Sequence, residues 1–242
     1  MFAGKGMIKQ FIFDVDGTLT PSRGVIDPQF NEWMIQFASM FPMYVVTGSD
    51  RVKTLEQIGE KLYNKCKKVY QCSGNDVWIG DNNVETKAVK YPLEFEKLLN
   101  KILEESRFYR KTGNHIEYRP GLCNFSIVGR NATMEDRAMY KQWDEHKQER
   151  EKIVFTLSEK YGSIFDIKAA GETGIDIVMK GHDKAQILSD FDHISNITFL
   201  GDRMDIKGND WSLAVALEEK NGKAIQVRNW KYTWEILRAY TK

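Results

Sequence analysis

A short apolar run near the start of the chain constrains the fold more than any other feature. Residues 8–13 are apolar apart from two polar positions, which is the pattern of a buried β-strand. The run leads into Asp14 and Asp16, which are followed by a Gly-Thr pair. Because side chains two positions apart at a strand end point the same way, the two carboxylates are predicted to lie side by side at a sheet edge.

The pair of aspartates admits two interpretations. Two carboxylates this close repel each other unless one is protonated or a cation lies between them. Such a pair suits a Mg²⁺ site in which one aspartate attacks and the other transfers a proton. In the second interpretation, an aspartate caps the Gly-Thr turn, as in many proteins. The buried strand, the paired acids and the hydroxyl groups coincide here, and this favours the catalytic interpretation.

The elements that follow repeat a strand–helix rhythm. Helices are predicted at 30–41 and 52–63, and strands at 43–46 and 69–72. This alternation is typical of an α/β fold with a parallel, doubly wound sheet, whose ligands bind outside the carboxyl ends of the strands. Asp14 and Thr47 both lie at such ends.

The middle of the chain has a different pattern. Helices are predicted at 93–108 and 134–160, and alternating strand pairs at 115–119 with 124–128 and at 164–169 with 175–179. This order predicts an antiparallel sheet with helices on one face. The α/β pattern returns from Lys184, with helices predicted at 184–191 and 230–240 and strands at 197–200 and 224–227. We therefore predict a core of residues 1–82 and 181–242 and an inserted α+β cap of residues 83–180.

Composition argues against several classes of protein. A formal charge of +1 over 242 residues does not suit nonspecific nucleic-acid binding, which requires a basic surface. No apolar run approaches the about 20 residues that span a membrane. Cys66, Cys72 and Cys123 lack metal-site spacing and are odd in number, which indicates free thiols in a reducing compartment. We therefore expect a cytoplasmic protein with neither a nucleic-acid nor a membrane partner.

Four short motifs occur in a fixed order along the chain. They are Asp14-Val15-Asp16-Gly17-Thr18, Thr47-Gly48-Ser49, Lys184 and Gly201-Asp202-Arg203-Met204-Asp205. In these motifs and their order the chain resembles the haloacid dehalogenase superfamily. Within the superfamily the chain resembles the eukaryotic-type phosphomannomutases over nearly its whole length. The cap motifs that carry this likeness are Ile116-Glu117-Tyr118-Arg119, Val128-Gly129-Arg130 and Glu135-Asp136-Arg137. The resemblance implies a Rossmann-like core with a cap of the C2b type.

In the core, the resemblance implies a phosphoryl-transfer site. Asp14 would be the nucleophile that carries the phosphoryl group as an aspartyl-phosphate. Asp16 would be the general acid and base, which protonates the departing sugar oxygen and deprotonates the incoming one. Thr47 and Lys184 would donate hydrogen bonds to the transferring phosphoryl group, and the lysine would also neutralise Asp14.

The resemblance also implies Mg²⁺ as a cofactor. Its ligands would be the carboxylates of Asp14 and Asp202 and the main-chain carbonyl of Asp16, with water completing an octahedral shell. Asn209 and Asp210 would support the lysine and the metal ligands. Capping of the next helix is an equally good explanation for this last pair. Taken singly Asp202 could also cap a turn, and only the joint order of the motifs favours the metal site.

Four arginines and one aspartate are implied to bind substrate. Arg119, Arg130 and Arg137 match mutase arginines that hold the phosphate not being transferred, Arg23 matches one on the core side, and Asp176 matches a substrate-binding aspartate. Arginine suits this task because its guanidinium group binds phosphate through two hydrogen bonds. The alternative is that the cap arginines are solvated surface residues among the 35 basic side chains. A small sugar phosphate is therefore the expected partner, with a sugar bisphosphate as activator.

The sequence leaves two reactions open. The arginines favour phosphomannomutase-like interconversion of hexose 1-phosphate and hexose 6-phosphate, with mannose as the expected sugar, because a mutase must hold a bisphosphate and exclude water. Two departures from the mutase pattern favour a sugar-phosphate phosphatase instead. Thr47 stands where mutases usually have glycine, and Gly174 stands where they usually have serine.

Two classes outside sugar-phosphate catalysis fit the sequence less well. A nonenzymatic sugar-phosphate-binding protein would be expected to have lost Asp14, Asp16 or Asp202, and all three are present. A phosphatase acting on nucleic-acid ends would need a basic, aromatic-lined channel. The resemblance further implies a homodimer formed through the cap.

Overall fold

The computed structural model describes residues 8–206 and 208–241. The strands are β1 (Gln10–Phe13), β2 (Met43–Val46), β3 (Lys68–Gln71), β4 (Asp76–Ile79), β5 (Asn82–Thr86), β6 (Ile116–Arg119), β7 (Leu122–Phe125), β8 (Phe165–Ala170), β9 (Gly174–Met179), β10 (Ile197–Gly201) and β11 (Lys223–Gln226). The α-helices are α1 (Pro28–Met40), α2 (Arg51–Ile58), α3 (Glu60–Tyr63), α4 (Phe95–Glu105), α5 (Met134–Lys147), α6 (Glu149–Tyr161), α7 (Trp211–Glu218) and α8 (Trp230–Arg238). Short 3₁₀ helices lie at Cys72–Gly74, Lys184–Asp190 and Ile194–Asn196. None of the described helices has both the length and the apolar character needed to cross a membrane.

These elements group into two compact units. The first unit comprises the chain up to Thr86 and from Gly181 onwards, and the second unit runs from Lys87 to Lys180. Residues 83–86, which we predicted as the start of the cap, lie in β5 at the end of the first unit's sheet. This strand pairs with β4, and the carboxylate of Asp76 reinforces the pairing by accepting hydrogen bonds from Asn83 Nδ2 at 2.9 Å and from Thr86 Oγ1 at 2.8 Å.

The first unit is built on a seven-stranded sheet in the order β11-β10-β1-β2-β3-β4-β5. The five strands from β11 to β3 run parallel, and β4 and β5 extend the sheet as antiparallel strands. The antiparallel strands β4 and β5 are absent from our prediction. The predicted α/β fold with a doubly wound sheet is confirmed.

Apolar side chains of β1 alternate between two cores, one on each face of this sheet. Phe11 and Phe13 are buried on one face with Phe37 of α1, and the rings of Phe11 and Phe37 are 5.0 Å apart. Ile12 lies in the core of the other face with Leu213 of α7. Because both faces of β1 are covered, its sequence is an almost continuous apolar run rather than an alternation with polar residues.

The carboxyl ends of β10, β1 and β2 are neighbours at one edge of the sheet. The N–H of Asp14 donates to the carbonyl of Leu200 in β10 at 3.0 Å, and the N–H of Thr47 donates to the carbonyl of Tyr70 in β3 at 2.9 Å. The residues that follow these strands are therefore held close together, at the edge where such sheets bind their ligands.

The second unit contains an antiparallel sheet in the order β6-β7-β9-β8, as predicted. One of its faces contributes Cys123, Phe125 and Ile177 to a core that includes Leu157 of α6. The strand register aligns Glu117 of β6 with Asn124 of β7 and Asp176 of β9. Since side chains alternate between the faces of a strand, this polar row belongs to the face opposite that core.

Two predicted helices are interrupted in the structure. The predicted helix 134–160 is α5 followed by α6, with Gln148 between them in the left-handed region at φ 51°. The carboxylate of Asp144 accepts hydrogen bonds from the main-chain N–H of Arg150 at 2.8 Å and from its Nε at 2.7 Å, which favours the break. The predicted helix 52–63 divides at Gly59, whose φ of 75° ends α2.

Candidate active site

A buried lysine joins two carboxylates at the carboxyl edge of the first unit's sheet. Nζ of Lys184 donates to Oδ1 of Asp14 at 2.6 Å and to Oδ1 of Asp210 at 2.7 Å. All three side chains are at least 96% buried. Charged side chains are almost never buried to this extent unless they are paired, so the three residues form one electrostatic unit.

The local sequence explains how Lys184 reaches this position. It is the first residue of the 3₁₀ helix Lys184–Asp190, and the carboxylate of the preceding Asp183 accepts a hydrogen bond from the N–H of Ala185 at 2.9 Å. This cap fixes the start of the helix. The structure therefore brings the predicted Lys184 to the predicted Asp14, although they are 170 positions apart.

Asp210 and Asn209, which we predicted as a supporting pair, differ in burial and in their contacts. Oδ2 of Asp210 accepts a hydrogen bond from the N–H of Arg203 at 3.0 Å, while its Oδ1 contacts Lys184. Its side chain forms no capping hydrogen bond with α7, so support of the lysine is the explanation that fits Asp210. Asn209 is exposed, and no residue in the described part of the chain forms a hydrogen bond with its side chain.

Asp202 follows β10 and completes the acidic group. Asp14, Asp202 and Asp210 each have a carboxylate oxygen within 4.8 Å of the others. Asp202 lies against the backbone of Gly17, because a Cβ atom on that glycine would be 2.4 Å from its Oδ2. Gly17 also has a φ of +75°, a conformation that glycine adopts without a steric penalty.

The electrostatics of the site follow from its burial. Burial raises the pKa of Asp14 to about 7, against the opposing charge of Lys184. Burial together with the charge of Asp210 raises the pKa of Asp202 to about 6. For Lys184 burial acts to lower the pKa, but the two carboxylates outweigh it and the net shift is upward. The lysine is therefore protonated at neutral pH.

Asp14, Asp202 and Asp210 fit a divalent metal ion. Three carboxylates face a single ammonium group, so full ionisation leaves the cluster with a net negative charge. In addition, Oδ2 of Asp14 is buried and has no hydrogen-bond partner among the described residues. A hard cation such as Mg²⁺ takes carboxylate oxygens as ligands and would relieve both conditions.

The stability of the metal-free protein is expected to depend on pH through these acids. The folded-state pKa of Asp14 is about 7 and that of Asp202 about 6, both above the ordinary value of 3.8. A carboxyl group whose pKa is raised by folding is most favourable to the fold below its unfolded-state pKa, and this contribution is lost as the pH rises through the folded-state value. Ionisation of these acids therefore costs stability between about pH 4 and pH 7.

Comparison with the Asp14→Asn variant isolates this effect from other titrating groups. In EDTA, the melting temperature of the variant minus that of the wild type is expected to increase from about pH 5 to about pH 8. Excess Mg²⁺ should reduce this pH dependence, because the ion stabilises the ionised acids of the wild type. A difference that stays constant with pH in EDTA would contradict the assigned shift.

The side chain of Asp16 has contacts of its own, separate from those of Asp14, Asp202 and Asp210. Its Oδ1 accepts hydrogen bonds from the main-chain N–H of Arg23 and from Nε2 of Gln57, the latter at 2.9 Å. Among the described residues, the close group of carboxylates consists of Asp14, Asp202 and Asp210 and does not include Asp16. Arg23 is exposed and has a left-handed φ of 59°. The two aspartates of the first motif therefore have different surroundings, one buried beside a lysine and the other partly exposed.

Thr47 is buried at the end of β2. Its Oγ1 accepts a hydrogen bond from the N–H of Ser49 at 3.1 Å. A hydroxyl group has one donor in addition to its acceptor lone pairs, so this contact leaves the O–H of Thr47 able to donate to an anion.

The second unit brings its arginines together through one glutamate. Nη2 of Arg119 donates to Oε2 of Glu117 at 2.9 Å, and the same oxygen lies 2.8 Å from Nε of Arg130. Nη2 of Arg137 donates to the main-chain carbonyl of Arg130 at 3.5 Å. The three predicted arginines therefore occupy one cluster, in which two guanidinium groups share a single carboxylate.

Asp176 belongs to the same cluster. Its Oδ1 accepts a hydrogen bond from Nδ2 of Asn124 at 2.7 Å. Burial raises the pKa of Asp176, while this hydrogen bond and the positive charges of Arg119 and Arg130 oppose the shift. The arrangement offers an anionic ligand two paired guanidinium groups together with polar hydrogen-bonding partners.

Sequence reasoning missed two residues of these sites, Gln57 and Glu117. Glu117 had a detectable pattern, because it lies two positions before Arg119 on a predicted strand and therefore on the same face. Gln57 had none, since a glutamine in an amphipathic helix is an ordinary surface residue until the fold shows it to be buried.

Comparison with solved structures defines the class to which this fold belongs. A haloacid dehalogenase-like hydrolase from Bacteroides thetaiotaomicron superposes with a TM-score of 0.63 at 13% identity, over 96% of this chain and 100% of that chain. The C-terminal domain of the trehalose-6-phosphate phosphatase of C. albicans superposes with a TM-score of 0.59 at 16% identity, over 87% of this chain and 74% of that chain. The protein has a haloacid dehalogenase-like fold.

Sequence comparison identifies the family within this class. The model of the family described as eukaryotic phosphomannomutase matches residues 30–238. The phosphomannomutase of Spinacia oleracea is 31% identical over 209 residues, 84% of each chain, and phosphomannomutase 1 of Dictyostelium discoideum is 30% identical over 84% of this chain and 85% of its own. The chain belongs to the eukaryotic phosphomannomutase family, as its motifs predicted.

Proposed function

We propose that the protein interconverts mannose 1-phosphate and mannose 6-phosphate through a phosphorylated aspartate, in a reaction that depends on Mg²⁺. Membership of the eukaryotic phosphomannomutase family gives the class of enzyme, an isomerase. The single observation that carries the proposal is the environment of Asp14. One carboxylate oxygen is held by Lys184 and the other is buried without a hydrogen-bond partner among the described residues.

The residues of the first unit support a division of roles. Asp14 is the nucleophile, and Lys184 orients it and balances its charge. Asp16, which lies outside the buried cluster, is the general acid and base for the sugar oxygens. Thr47 and Lys184 donate hydrogen bonds to the transferring phosphoryl group, where negative charge develops.

Mg²⁺ fits Asp14, Asp202 and the main-chain carbonyl of Asp16, with Asp210 supporting the site. When bound, the ion supplies positive charge to the phosphoryl oxygens and to the attacking carboxylate. Asp210 is better suited to hold Lys184 than to bind the ion, because both of its oxygens already accept hydrogen bonds. Asn209 is left out of this assignment because it is exposed.

The residues of the second unit bind the phosphate that is not transferred. Arg119 and Arg130 supply the guanidinium groups, and Glu117 orients them before the ligand arrives, which reduces the entropy lost on binding. Arg137 adds a third positive charge beside them, and Asp176 contacts the sugar. Arg23, in the first unit, is a further candidate for binding phosphate. A sugar bisphosphate is the activator that phosphorylates Asp14 at the start of the cycle.

A sugar-phosphate phosphatase is the second candidate, and one observation favours it. The side chain of Asn124 lies over Gly174, so that a Cβ at this position would be 2.9 Å from Nδ2 of Asn124. The hydroxyl group that mutases usually place here is absent, and an amide lies beside the position instead. The loss of this hydroxyl group, together with Thr47 at a position where mutases usually have glycine, would suit a site that releases phosphate to water.

Two further proposals concern the setting of the enzyme. Cys66, Cys72 and Cys123 are buried, and none of them forms a disulfide within the described part of the chain. This supports a reducing compartment such as the cytoplasm. Resemblance to the family supports a homodimer formed through the second unit.

The two candidate reactions are separated by one assay. Purified protein is incubated with Mg²⁺, mannose 1-phosphate and a trace of glucose 1,6-bisphosphate, and both mannose 6-phosphate and free phosphate are measured. We expect mannose 6-phosphate with little free phosphate, because the arginines retain the bisphosphate. The Asp14→Asn variant serves as the blank, since it lacks the attacking carboxylate.

Other outcomes would reject the proposal. Free phosphate without mannose 6-phosphate would replace the mutase by the phosphatase, and Gly174→Ser would then be the first variant to test for recovery of isomerisation. If neither product exceeds the Asp14→Asn blank, both reactions on this sugar are excluded.

A further inference from the structure

A buried amide contacts the side chain of Asp16. Gln57 lies in the last turn of α2, and its side chain is fully buried. Its Nε2 donates to Oδ1 of Asp16 at 2.9 Å and makes a longer contact of 3.5 Å with Oγ1 of Thr20. Its main-chain carbonyl accepts a hydrogen bond from the N–H of Ile26 at 2.8 Å. Gln57 is therefore bound to the segment that follows β1 through both its side chain and its main chain.

The contacts of Asp16 are unevenly divided between its two oxygens. Oδ1 receives both the main-chain N–H of Arg23 and the amide of Gln57, whereas the described residues form no hydrogen bond with Oδ2. The orientation of the amide is determined by this contact, because the opposite orientation would set its oxygen against a carboxylate oxygen. One oxygen of Asp16 is thus fixed and the other is available to a ligand.

The stability of the fold does not explain this amide. Oε1 of Gln57 is buried and has no hydrogen-bond partner among the described residues. A buried polar atom without a partner costs free energy, and an apolar side chain of the same length would avoid that cost. The benefit of a glutamine at this position lies in its hydrogen bond to Asp16.

We propose that Gln57 is a positioning residue for proton transfer by Asp16. It holds Oδ1 so that Oδ2 is directed to the sugar oxygen. This inference rests on the proposed function, in which Asp16 is the general acid and base.

The step that Gln57 assists is the cleavage of the sugar phosphate. An oxygen of the Asp14 carboxylate forms a bond to phosphorus, and the bond from phosphorus to the sugar oxygen breaks with its electron pair on that oxygen. The sugar oxygen then takes the proton from Asp16, which becomes a carboxylate. A sugar alkoxide is a poor leaving group without this proton, so the orientation of Asp16 affects the rate of the step.

The dependence of this step on the leaving group tests the proposal. p-Nitrophenyl phosphate releases a weakly basic phenolate that needs no proton from Asp16, whereas glucose 1,6-bisphosphate releases a sugar oxygen that does. Single-turnover phosphorylation of Asp14 is measured with each donor, with enzyme in excess and Mg²⁺ present. For Gln57→Met we expect the rate with the bisphosphate to fall about 10- to 100-fold, part of the 10²- to 10⁴-fold typical of general acid catalysis. The rate with p-nitrophenyl phosphate should change less than about twofold, because this donor makes no use of Asp16.

A matched control is available in Gln71. Its side chain is also fully buried, but its Nε2 donates to the hydroxyl group of Tyr63 at 2.8 Å. Gln71→Met removes the same amide from the same unit without touching Asp16, and it should leave the ratio of the two rates unchanged. Asp16→Asn sets the largest change in that ratio, since it removes the acid itself.

Three results would overturn the inference. These are equal rate losses with both donors, an unchanged rate with the bisphosphate, or the same change in the ratio for Gln71→Met. Failure of the proposed function is distinguished by the wild type, which would then release p-nitrophenolate without accepting phosphate from the bisphosphate. In that case the comparison is made with the sugar monophosphate that the wild type hydrolyses, and the same ratio decides the role of Gln57.

Discussion

Replacement of Lys184 by methionine is expected to destabilise the metal-free protein by about 3–5 kcal/mol and to abolish phosphoryl transfer. Nζ of Lys184 lies 2.6 Å from Asp14 and 2.7 Å from Asp210, and the lysine and Asp210 are almost fully buried. Methionine fills a similar volume but leaves two buried carboxylates without a counter-charge. Since proteins of this kind are stable by only about 5–15 kcal/mol in total, much of the stability would be lost.

The measurement is chemical unfolding of the wild type and Lys184→Met, in EDTA and in excess Mg²⁺. The ion should recover part of the loss in stability, because it supplies positive charge to the same carboxylates. Activity should not recover, since the variant lacks the hydrogen bond from Nζ to Asp14 and the one that we propose to the phosphoryl group.

Lys68→Met is the matched control for this prediction. Nζ of Lys68 lies 2.6 Å from Oδ2 of Asp190, the same separation as in the buried pair, but both side chains are about one third exposed. Exposed ion pairs contribute about 0–1 kcal/mol, so this variant should unfold almost as the wild type does. Equal losses of stability in the two variants would mean that burial of Lys184 does not have the energetic consequence assigned to it.

The candidate site residues whose location the sequence predicts most directly are those that follow the ends of strands. Asp14, Thr47 and Asp202 each follow an apolar run, and a parallel sheet brings such positions to one edge whatever the details of its loops. The order of the motifs implied that Lys184 lies near Asp14. The sequence predicted a helix that begins at Lys184, but it did not predict that this helix is of the 3₁₀ type.

The features that were not predicted depend on side-chain orientations and helix boundaries, which are set by contacts that the local sequence does not show. Asn209 and Asp210 are adjacent and equally suited to capping, yet Asp210 is buried and Asn209 is exposed. The carboxylate of Asp210 accepts hydrogen bonds from the main-chain N–H of Arg203 and from Lys184. α7 was missed since its predominantly apolar sequence carries no clear helical periodicity. Gln148 interrupts a sequence that is helical in pattern on both sides, and the contact between Asp144 and Arg150 that favours the break is visible only in the structure.

Gly17→Ala is expected to slow phosphoryl transfer by about 10²-fold while leaving the protein folded. A Cβ on Gly17 would be 2.4 Å from Oδ2 of Asp202 and 2.8 Å from its Cγ. Since ordinary contacts of a Cβ begin at 3.4 Å, Asp202 would have to move by about 1 Å, and a displacement of that size in a catalytic group costs about 10²-fold in rate. The affinity for Mg²⁺ should fall together with the rate, because Asp202 is a proposed ligand of the ion.

Gly80→Ala is a control that distinguishes the effect of the contact with Asp202 from the effect of backbone strain. Gly80 also has a positive φ, +54°, but a Cβ there would meet only Oδ1 of Asn64 at 3.6 Å. Both alanine variants should lose about 1 kcal/mol of stability from the left-handed backbone. Only Gly17→Ala should require a higher concentration of Mg²⁺ for half-maximal activity, measured by titration of the ion at saturating substrate. If Gly80→Ala shows the same change, or if Gly17→Ala keeps the wild-type requirement, then the contact between Gly17 and Asp202 does not position the metal ligand.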